Sequence, residues 1–351
     1  MNILILGASY GSLFATKLLL AGHNVTLVCR APNATLINTQ GTHVRIKLKG
    51  DVDVTNIHSD SLLGNVVAVS PDDVVVGDYD MACLAMQEPQ YSNANVKDLM
   101  SRLAASKIPC LSIMNMPPMP YIRRIPGLED CALDHCYSDP DVWKDFEPGL
   151  VSLCSPDPQA FRPPDEPANV LVVGLPTNFK AAAFADPAHT AMLKQLELDI
   201  DNVTYNGKEV PVKLKVHDSV FVPLAKWSML MTGNFRCIMI YGEQTIHDAV
   251  LGDIRKSNSI YGWVDSLVRE LGADISDQVP FEKYANAAKS LLKPSSAARA
   301  IAAGATSIER VDLLIQTIAK SKGMTNGNID TIVSIVNLRL LGQNPSIADL
   351  K

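Results

Sequence analysis

The first residues of the chain combine a strand, a glycine turn and a helix, a pattern that can bind a phosphate. Asn2–Leu6 is apolar, the turn Gly7-Ala-Ser-Tyr-Gly11-Ser12 follows, and residues 13–21 form an apolar helical run. Such a turn leaves backbone N–H groups available at a helix N-terminus, where a pyrophosphate can accept their hydrogen bonds. Because Ser9 and Ser12 stand where a strict G-x-G-x-x-G turn has glycines, the prediction depends on the strand and helix around it.

The second strand ends in a residue that favours one nicotinamide cofactor over the other. Asn24–Val28 is apolar, and Cys29 and Arg30 follow it. An acidic residue at this point usually binds the ribose 2′-hydroxyl of NAD, whereas an arginine suits the 2′-phosphate of NADP. The first thirty residues therefore predict NADP(H), and the alternative is a strand–helix–strand unit whose glycine turn binds nothing.

Charge and composition exclude several classes of function. The chain has 351 residues, enough for two domains, and a net charge of −6. This mild acidity argues against nucleic-acid binding and against a polybasic membrane contact, and no apolar run reaches the length of a membrane span. The seven histidines show no spacing typical of metal ligands, so we expect no metal site.

The cysteines predict a reducing compartment. There are seven, they are scattered, and none forms a C-x-x-C pair. An odd count without a secretion signal fits the cytoplasm. Three lie in strand-like stretches and are expected in the core, namely Cys29, Cys83 and Cys110, and three lie in a looser region where exposure is expected, namely Cys131, Cys136 and Cys154.

Two further strands end in polar residues that could contact a ligand. Residues 80–86 and 109–114 are short apolar runs of the kind found in buried parallel strands. Gln87 follows the first and Asn115 the second. Because ligands bind at the carboxyl ends of such strands, both side chains are candidates for a binding site.

A proline-rich segment interrupts this alternation at residues 117–167. Its prolines disfavour sheet ladders and long helices. It also carries Tyr121, Trp143, Phe146 and Phe161, more aromatic residues than a disordered segment would have. The segment is therefore predicted to be an ordered lid or cap over the sheet edge.

The sequence from residue 168 onward predicts a strand, a helix and a hairpin, and then only helices. Residues 168–173 form a strand, residues 190–200 a helix, and Tyr205-Asn-Gly207 the turn of a hairpin. The helices predicted after it are 221–240, 253–271, 281–292, 296–303, 308–322 and 328–341. The resulting fold class is an α/β Rossmann-type domain at 1–210, with the proline-rich insertion at 117–167, followed by an all-α domain at 211–351.

This organisation resembles the ketopantoate reductase (2-dehydropantoate 2-reductase) family, whose C-terminal domain is like that of 6-phosphogluconate dehydrogenase. The matching stretches are Leu6-Gly-Ala, Gly11-Ser-Leu-Phe-Ala15 and Ala21-Gly-His-Asn-Val-Thr-Leu-Val-Cys-Arg30. Leu84-Ala-Met-Gln87 and Ile113-Met-Asn115 match two strand ends of the family. The resemblance implies that NADP(H) contacts Gly7, Ala8, Ser9, Tyr10, Gly11, Ser12, Arg30, Ala85, Met86, Gln87 and Asn115.

The helical part of the resemblance carries the expected chemistry. Lys226-Trp-Ser-Met-Leu230-Met-Thr-Gly-Asn234 matches the family's K-x-x-x-N-x-x-x-N helix, and positions four apart lie along one helix face. The resemblance implies that Lys226 is catalytic and that Asn234 and Asn115 bind substrate. It implies the same binding role for Ser295, Ser296 and Glu309. The alternative is a helix N-cap for the serines and a solvated helix position for the acid.

The chain also departs from the family's pattern. Leu84 stands in place of a lysine, Leu230 in place of the first asparagine of the helix, and Met116 in place of a glycine. These positions lie on the substrate side in the family, so the departures indicate a divergent member with a larger or less polar substrate.

The function expected from the resemblance is NADPH-dependent reduction of a small 2-oxo acid. Hydride passes to the carbonyl carbon while Lys226 polarises the oxygen and supplies a proton. The expected partner is a carboxylate substrate, and the family implies a cytoplasmic homodimer formed through the helical domain. Two alternatives stay open: an opine-type or imine-reducing dehydrogenase on the same scaffold, and a non-catalytic protein that senses NADP(H).

Overall fold

The chain divides into two compact units. The structure is a computed structural model and describes residues 1–342. The sheet unit comprises Met1–Tyr121 and Asp141–Val220, and the helical unit comprises Ile122–Pro140 and the chain from Phe221 onward. This division differs from the predicted boundary at residue 210 and gives part of the proline-rich segment to the helical unit. Residues 343–351 of the predicted helical domain lie outside the described residues.

The strands of the sheet unit form two sheets and a hairpin. They are β1 Asn2–Leu6, β2 Asn24–Val28, β3 His43–Lys47, β4 Val54–His58, β5 Val66–Val69, β6 Met81–Leu84, β7 Cys110–Ile113, β8 Val151–Ser155, β9 Gln159–Phe161, β10 Val170–Leu175, β11 Phe179–Ala182, β12 Thr204–Tyr205, β13 Lys208–Glu209 and β14 Leu214–His217. The main sheet has the order β14-β11-β8-β7-β6-β1-β2-β5.

The helices of the whole chain follow the same order. They are α1 Gly11–Leu20, α2 Ala31–Gln40, α3 Ala94–Ser106, α4 Met119–Ile122, α5 Pro187–Asp201, α6 Lys226–Met229, α7 Ile246–Leu251, α8 Ile254–Glu270, α9 Phe281–Ala288, α10 Ser296–Ala302, α11 Val311–Ser321 and α12 Gly327–Leu340. Short 3₁₀ turns connect several of them.

Six neighbouring strands of the main sheet are parallel and have the order of a doubly wound fold. From β5 through β2, β1, β6 and β7 to β8, each pair is parallel, which is the 3-2-1-4-5-6 order. The strands β6, β7 and β8 are buried along their whole length, as their largely apolar sequences favour. The predicted α/β Rossmann domain followed by an all-α part is confirmed.

The second sheet was not predicted. Its order is β4-β3-β10-β9, with β3 and β10 parallel and the other pairs antiparallel. The sequence located β10 as a strand but assigned it to no separate sheet, because a short alternating strand such as His43–Lys47 is a weak signal. The predicted hairpin is confirmed: Asn206 and Gly207, both with positive φ, connect β12 to β13.

The proline-rich segment is ordered, as predicted, but its strands do not form the expected lid or cap. It contains β8, a fully buried strand of the main sheet paired with β7 and β11, and also β9 of the second sheet. The prolines flank these strands at Pro148, Pro156 and Pro158, and leave the strand interiors without proline. Residues 141–167 of the segment are therefore part of the sheet unit rather than a lid over it, while Ile122–Pro140 belongs to the helical unit.

The burial of four cysteines also differs from expectation. Cys136 and Cys154 are buried and Cys131 is half-buried, where exposure was expected, while Cys29 is only half-buried. All seven cysteines are free thiols. Burial raises the pKa of the Cys136 thiol to about 11.

Candidate active site

Four strand ends of the main sheet meet at one edge. In the registers of the parallel ladders, Leu6 lies opposite both Val28 and Leu84, and Leu84 lies opposite Ser112. The glycine turn, Arg30, the segment from Ala85 to Gln87 and Asn115 each follow one of these aligned positions by one to three residues. The structure therefore brings the residues predicted to bind the cofactor to the same edge of one sheet.

Glycine is required at both ends of the turn between β1 and α1. Gly7 has φ +108°, and a Cβ there would lie 2.7 Å from the carbonyl oxygen of Ala85. A Cβ on Gly11 would lie 2.8 Å from Cγ2 of Ile5. The helix N-terminus is thus held close to the ends of β1 and β6, which is the arrangement that lets backbone N–H groups face a pyrophosphate.

The side chains of the turn are mostly used to hold it together. The buried Ser12 hydroxyl donates to the carbonyl of Ala8 at 2.6 Å, and the Tyr10 hydroxyl donates to the carbonyl of Pro158 at 2.8 Å. Ser9 is exposed. Within the described chain, the backbone N–H groups of Tyr10 and Gly11 have no hydrogen-bond acceptor, so the backbone is what the turn offers to an anion.

A second arginine, which the sequence analysis missed, lies at this edge. Arg162 follows β9, and its Nη2 donates to the carbonyl of Ala8 at 2.8 Å. Both Arg162 and Arg30 act electrostatically on the Cys29 thiol, whose pKa is raised by burial and held down in part by these charges. The signal that could have found Arg162 is its position between a short strand and Pro163-Pro164, but its contact with the turn depends on the unpredicted second sheet.

The end of β6 is fixed by backbone hydrogen bonds. Ala85 is buried and its N–H donates to the carbonyl of Leu6 at 2.9 Å. The N–H of Met86 donates to the hydroxyl of Tyr91 at 3.1 Å, and the N–H of Gln87 to Oε1 of Gln90. The Gln87 side chain is exposed and reaches the surface of the sheet unit, whereas Asn115, after β7, is half-buried and its Oδ1 is enclosed.

The catalytic candidate of the helical unit lies on an irregular helix. Residues 221–240 were predicted as one long helix, but the chain forms a 3₁₀ turn at Val222–Ala225, then α6, then a π turn at Leu230–Asn234 and a 3₁₀ turn at Phe235–Cys237. We call residues 222–237 the irregular helix. Its π turn places the backbone N–H of Phe235 on the carbonyl of Leu230. Mid-helix π turns occur frequently at functional sites.

A buried tyrosine accounts for the π turn. The hydroxyl of Tyr284 donates to the carbonyl of Met229 at 3.1 Å. A Cβ on Gly233 would lie 2.0 Å from the hydroxyl oxygen of Tyr284. Only glycine leaves room for the hydroxyl beside the widened turn. Burial raises the pKa of Tyr284 far above its ordinary value, so the group stays a neutral donor.

The π turn improves the alignment of the two candidate side chains. In a regular helix each residue advances by about 100°, so a residue eight positions further along lies about 80° beyond two full turns. A turn closed by i→i+5 bonds winds less per residue, so it reduces this excess and brings Asn234 closer to the line of Lys226. Both side chains are half-buried, whereas Leu230 is buried.

The two serines predicted to bind substrate differ in their surroundings. The buried Ser295 hydroxyl donates to the carbonyl of Asn234 at 2.7 Å and accepts from the N–H of Ala298, thereby capping α10. Ser296 is exposed. Ser295 therefore holds the end of the π turn in place, and its hydrogen-bonding capacity is used inside the protein.

Glu309, the acid predicted to bind substrate, has a second acid, Asp312, three residues further along the chain. Glu309 is half-buried, while Asp312 is fully buried and receives two hydrogen bonds of 2.9 Å from Nε and Nη2 of Arg310. Burial raises the pKa of Asp312 despite the opposing charge of Arg310. Because the Asp312 carboxylate is enclosed and paired, Glu309 remains the candidate at this position.

The three departures from the family pattern are all core positions here. Leu84 and Met116 have no exposed surface and Leu230 has 3%. They were expected to line a less polar substrate site, but each is buried within its own unit. Among the described residues no group of three or more histidines, cysteines or acids could hold a metal ion. None of the helices in that range is long and apolar enough to cross a membrane.

Comparison with solved structures identifies the fold. A 2-dehydropantoate 2-reductase from Methylococcus capsulatus has a TM-score of 0.68 at 12% identity, with 99% of each chain covered. A dimeric ketopantoate reductase from Staphylococcus aureus gives 0.61 at 13% identity, covering 97% of this chain and 99% of that one. D-mandelate dehydrogenase with NADH and anilino(oxo)acetate gives 0.65 at 15% identity, covering 98% and 100%.

These similarities extend over nearly the whole chain. No protein-family model and no curated protein sequence matches it. The resemblance found in the sequence is thus confirmed at the level of the fold: the chain has the fold of the ketopantoate reductases.

Proposed function

We propose that the protein is an NADPH-dependent reductase of a small 2-oxo acid. The observation that carries the proposal is the π turn that brings Asn234 closer to the line of Lys226, in a chain whose sheet unit collects a glycine turn, Arg30 and two strand ends at one edge. The similar solved structures support it, since they include ketopantoate reductases and a D-mandelate dehydrogenase with bound NADH.

The residues of the sheet edge fit a dinucleotide. The backbone N–H groups of Tyr10 and Gly11 and the α1 N-terminus would hold the pyrophosphate, and Arg30 would hold the adenosine end. Ala85, Met86, Gln87 and Asn115 would line the path toward the nicotinamide. When bound, the cofactor supplies the hydride.

Lys226 would do the proton chemistry. Its ammonium Nζ donates a hydrogen bond to the substrate carbonyl oxygen, which stabilises the negative charge that develops there. The Nζ proton would pass to that oxygen, and the amine left behind would take a new proton from water. On the helical unit, Asn234 would orient the substrate through its amide, and Ser296 and Glu309 are the remaining candidates to contact it.

The test is to offer the protein a panel of 2-oxo acids, with and without an amino acid co-substrate, and to measure NADPH oxidation. An alcohol product supports the proposal. A secondary amine formed only with the co-substrate would instead identify the opine-type reaction. Tight NADPH binding without turnover on any member of the panel would favour a sensing protein.

We also propose a homodimer formed through the helical unit. This unit has an apolar groove of about 440 Å³ whose lining includes Ile332, Ile335 and the exposed Met239 and Tyr241. The Staphylococcus aureus relative is described as dimeric. Tyr241→Arg should shift the mass in analytical ultracentrifugation toward the monomer, while Leu63→Arg, an exposed control in the sheet unit, should not.

The compartment proposed is the cytoplasm. All seven cysteines are free thiols, and Cys83 and Cys110 are buried in the main sheet without pairing. Unpaired thiols persist in a reducing environment.

A further inference from the structure

The glycine turn is bordered by an arginine that neither the sequence patterns nor the proposed function uses. Arg162 reaches the turn from the end of β9 and donates Nη2 to the carbonyl of Ala8 at 2.8 Å. The same carbonyl accepts from Ser12, so it fixes the guanidinium against the first residues after β1. Arg162 is half-buried, whereas Arg30 is exposed.

The two guanidinium groups form an unneutralised positive pair. Within residues 1–342, neither Arg30 nor Arg162 forms an ion pair with a carboxylate. Burial and the charge of Arg30 lower the pKa of Arg162, with the Cys29 thiol opposing them. Two like charges brought together without a counter-ion are unfavourable unless an anion binds between them.

Acidic residues at the neighbouring strand end are already engaged. Asp72 and Asp73 follow β5, the strand next to β2. Asp72 accepts a hydrogen bond from the Asn95 amide at 2.9 Å, and Asp73 accepts from the Ser70 hydroxyl at 2.7 Å. These carboxylates are thus held by groups other than the arginine pair.

The position of the pair matches one part of a dinucleotide. The adenosine ribose of a Rossmann-bound cofactor lies between the glycine turn and the end of the second strand, where its 2′ position is read. Arg162 contacts the turn and Arg30 follows β2. We propose that Arg162 acts with Arg30 to bind the 2′-phosphate of NADP(H), and that Arg162 determines the preference over NAD(H); this rests on the proposed function.

The hydrogen bond to Ala8 explains why an arginine suits this role. A guanidinium has five N–H donors in a planar fork, and the bond to Ala8 uses one of them. The others remain for phosphate oxygens, and their direction is set before the ligand binds. A lysine offers a point charge without this fixed geometry.

The experiment measures binding rather than turnover. Isothermal titration calorimetry with NADPH, NADH, adenosine 2′,5′-bisphosphate and 5′-AMP is applied to the wild type, Arg162→Gln, Arg162→Lys and Arg30→Gln. Arg45→Gln is the matched control, because Arg45 lies on β3 of the same second sheet and pairs with Glu166. Thermal unfolding of each variant verifies that it is folded.

Arg162→Gln should weaken NADPH and the 2′,5′-bisphosphate by about tenfold or more, the usual effect of losing a charged hydrogen bond. Its affinity for NADH and 5′-AMP should change by less than about threefold, since neither ligand has a 2′-phosphate. Arg162→Lys should recover only part of the loss, and Arg45→Gln should match the wild type.

Each other outcome overturns the inference in an identifiable way. Equal losses for all four ligands in Arg162→Gln would mean that Arg162 supports the turn through Ala8 and does not recognise phosphate. Unchanged NADPH binding would remove Arg162 from the site while leaving the proposed reductase intact. A wild type that binds none of the four ligands would contradict both the inference and the proposed function.

Discussion

The edge of the main sheet and the irregular helix hold candidate site residues by opposite means. At the edge, regular parallel registers align Leu6, Val28 and Leu84, so the backbone groups that follow are placed by the fold itself. On the irregular helix, Lys226 and Asn234 are aligned because regular geometry is broken by a π turn. A regular element positions backbone donors well, whereas placing two side chains required local irregularity supported by Tyr284 and Ser295.

The largest effect should come from removing the ammonium of the irregular helix. Lys226→Ala is expected to reduce turnover of the identified substrate by roughly 10²–10⁴, the usual contribution of a positioned acid–base group. Lys226→Arg should not restore it, because arginine does not give up a proton. NADPH binding should be unchanged, since the residues proposed to bind its phosphates belong to the sheet unit. Near wild-type turnover would exclude Lys226 from the mechanism.

Adding one methyl group at Gly7 should disrupt the glycine turn at the edge of the main sheet. Gly7→Ala places a Cβ 2.7 Å from a backbone oxygen at φ +108°. Backbone strain and overpacking together should lower the free energy of unfolding by roughly 2–4 kcal/mol. Nucleotide binding should weaken as the turn moves, measured by calorimetry alongside urea denaturation. A variant with wild-type stability and affinity would show that the turn does not need its close approach to β6.

Replacing Gly233 with alanine should disrupt the irregular helix in a similar way. A Cβ there meets the hydroxyl of the buried Tyr284, so Gly233→Ala should cost about 1–3 kcal/mol of unfolding free energy. It should also lower kcat, with little effect on NADPH binding. Gly262→Ala in α8 is the control, since nothing lies within 4 Å of the added methyl; a gain of up to about 1 kcal/mol is expected there. Equal behaviour of the two variants would contradict the role given to Tyr284.

The smallest expected effect is the change of stability with pH that comes from Lys17 on α1. Its buried ammonium donates to the carbonyl of Val210 at 2.7 Å, and burial lowers its pKa to about 7. The unfolded chain, with a lysine pKa of about 10.4, binds more protons between these values, so stability should rise with pH by at most about 1.4 kcal/mol per unit. Below pH 7 both states are protonated and this dependence disappears.

Denaturation at pH 7, 8 and 9 tests this prediction. Lys17→Met should flatten the rise, while Lys47→Met, at an exposed position on β3, should keep it. Identical pH profiles for the wild type and Lys17→Met would show that Lys17 is protonated in the fold throughout this range.

The local patterns sufficed for much of the sheet unit. Strand, glycine turn and helix are adjacent in sequence, so Gly7–Arg30 could be read as one unit with its chemistry. The strand ends at Ala85 and Asn115 followed from apolar runs alone. The helices after residue 252 were also located within a few residues, because their apolar periodicity is local, whereas the short α7 at Ile246–Leu251 was missed.

Long-range contacts set the limit of that prediction. The irregular helix depends on Tyr284, more than fifty residues away, and the role of Ser295 depends on the carbonyl of Asn234. Arg162 reaches the glycine turn only because β9 joins a sheet with β10. Prolines around β8 were interpreted as a break in structure, whereas they lie outside a strand that pairs with β7 and β11.

The assignment of Ile122–Pro140 to the helical unit has a consequence for how the chain is made. On the ribosome this segment emerges before β8, β11 and β14, but its partners emerge last: His135 contacts Thr317 and Ser138 contacts Ser307. Its ordering must wait for the C-terminal helices, while the strands on either side of it already belong to the main sheet. A gene cut at residue 220 would therefore give neither unit whole, and a split version of the protein would need residues 122–140 moved to the C-terminal piece.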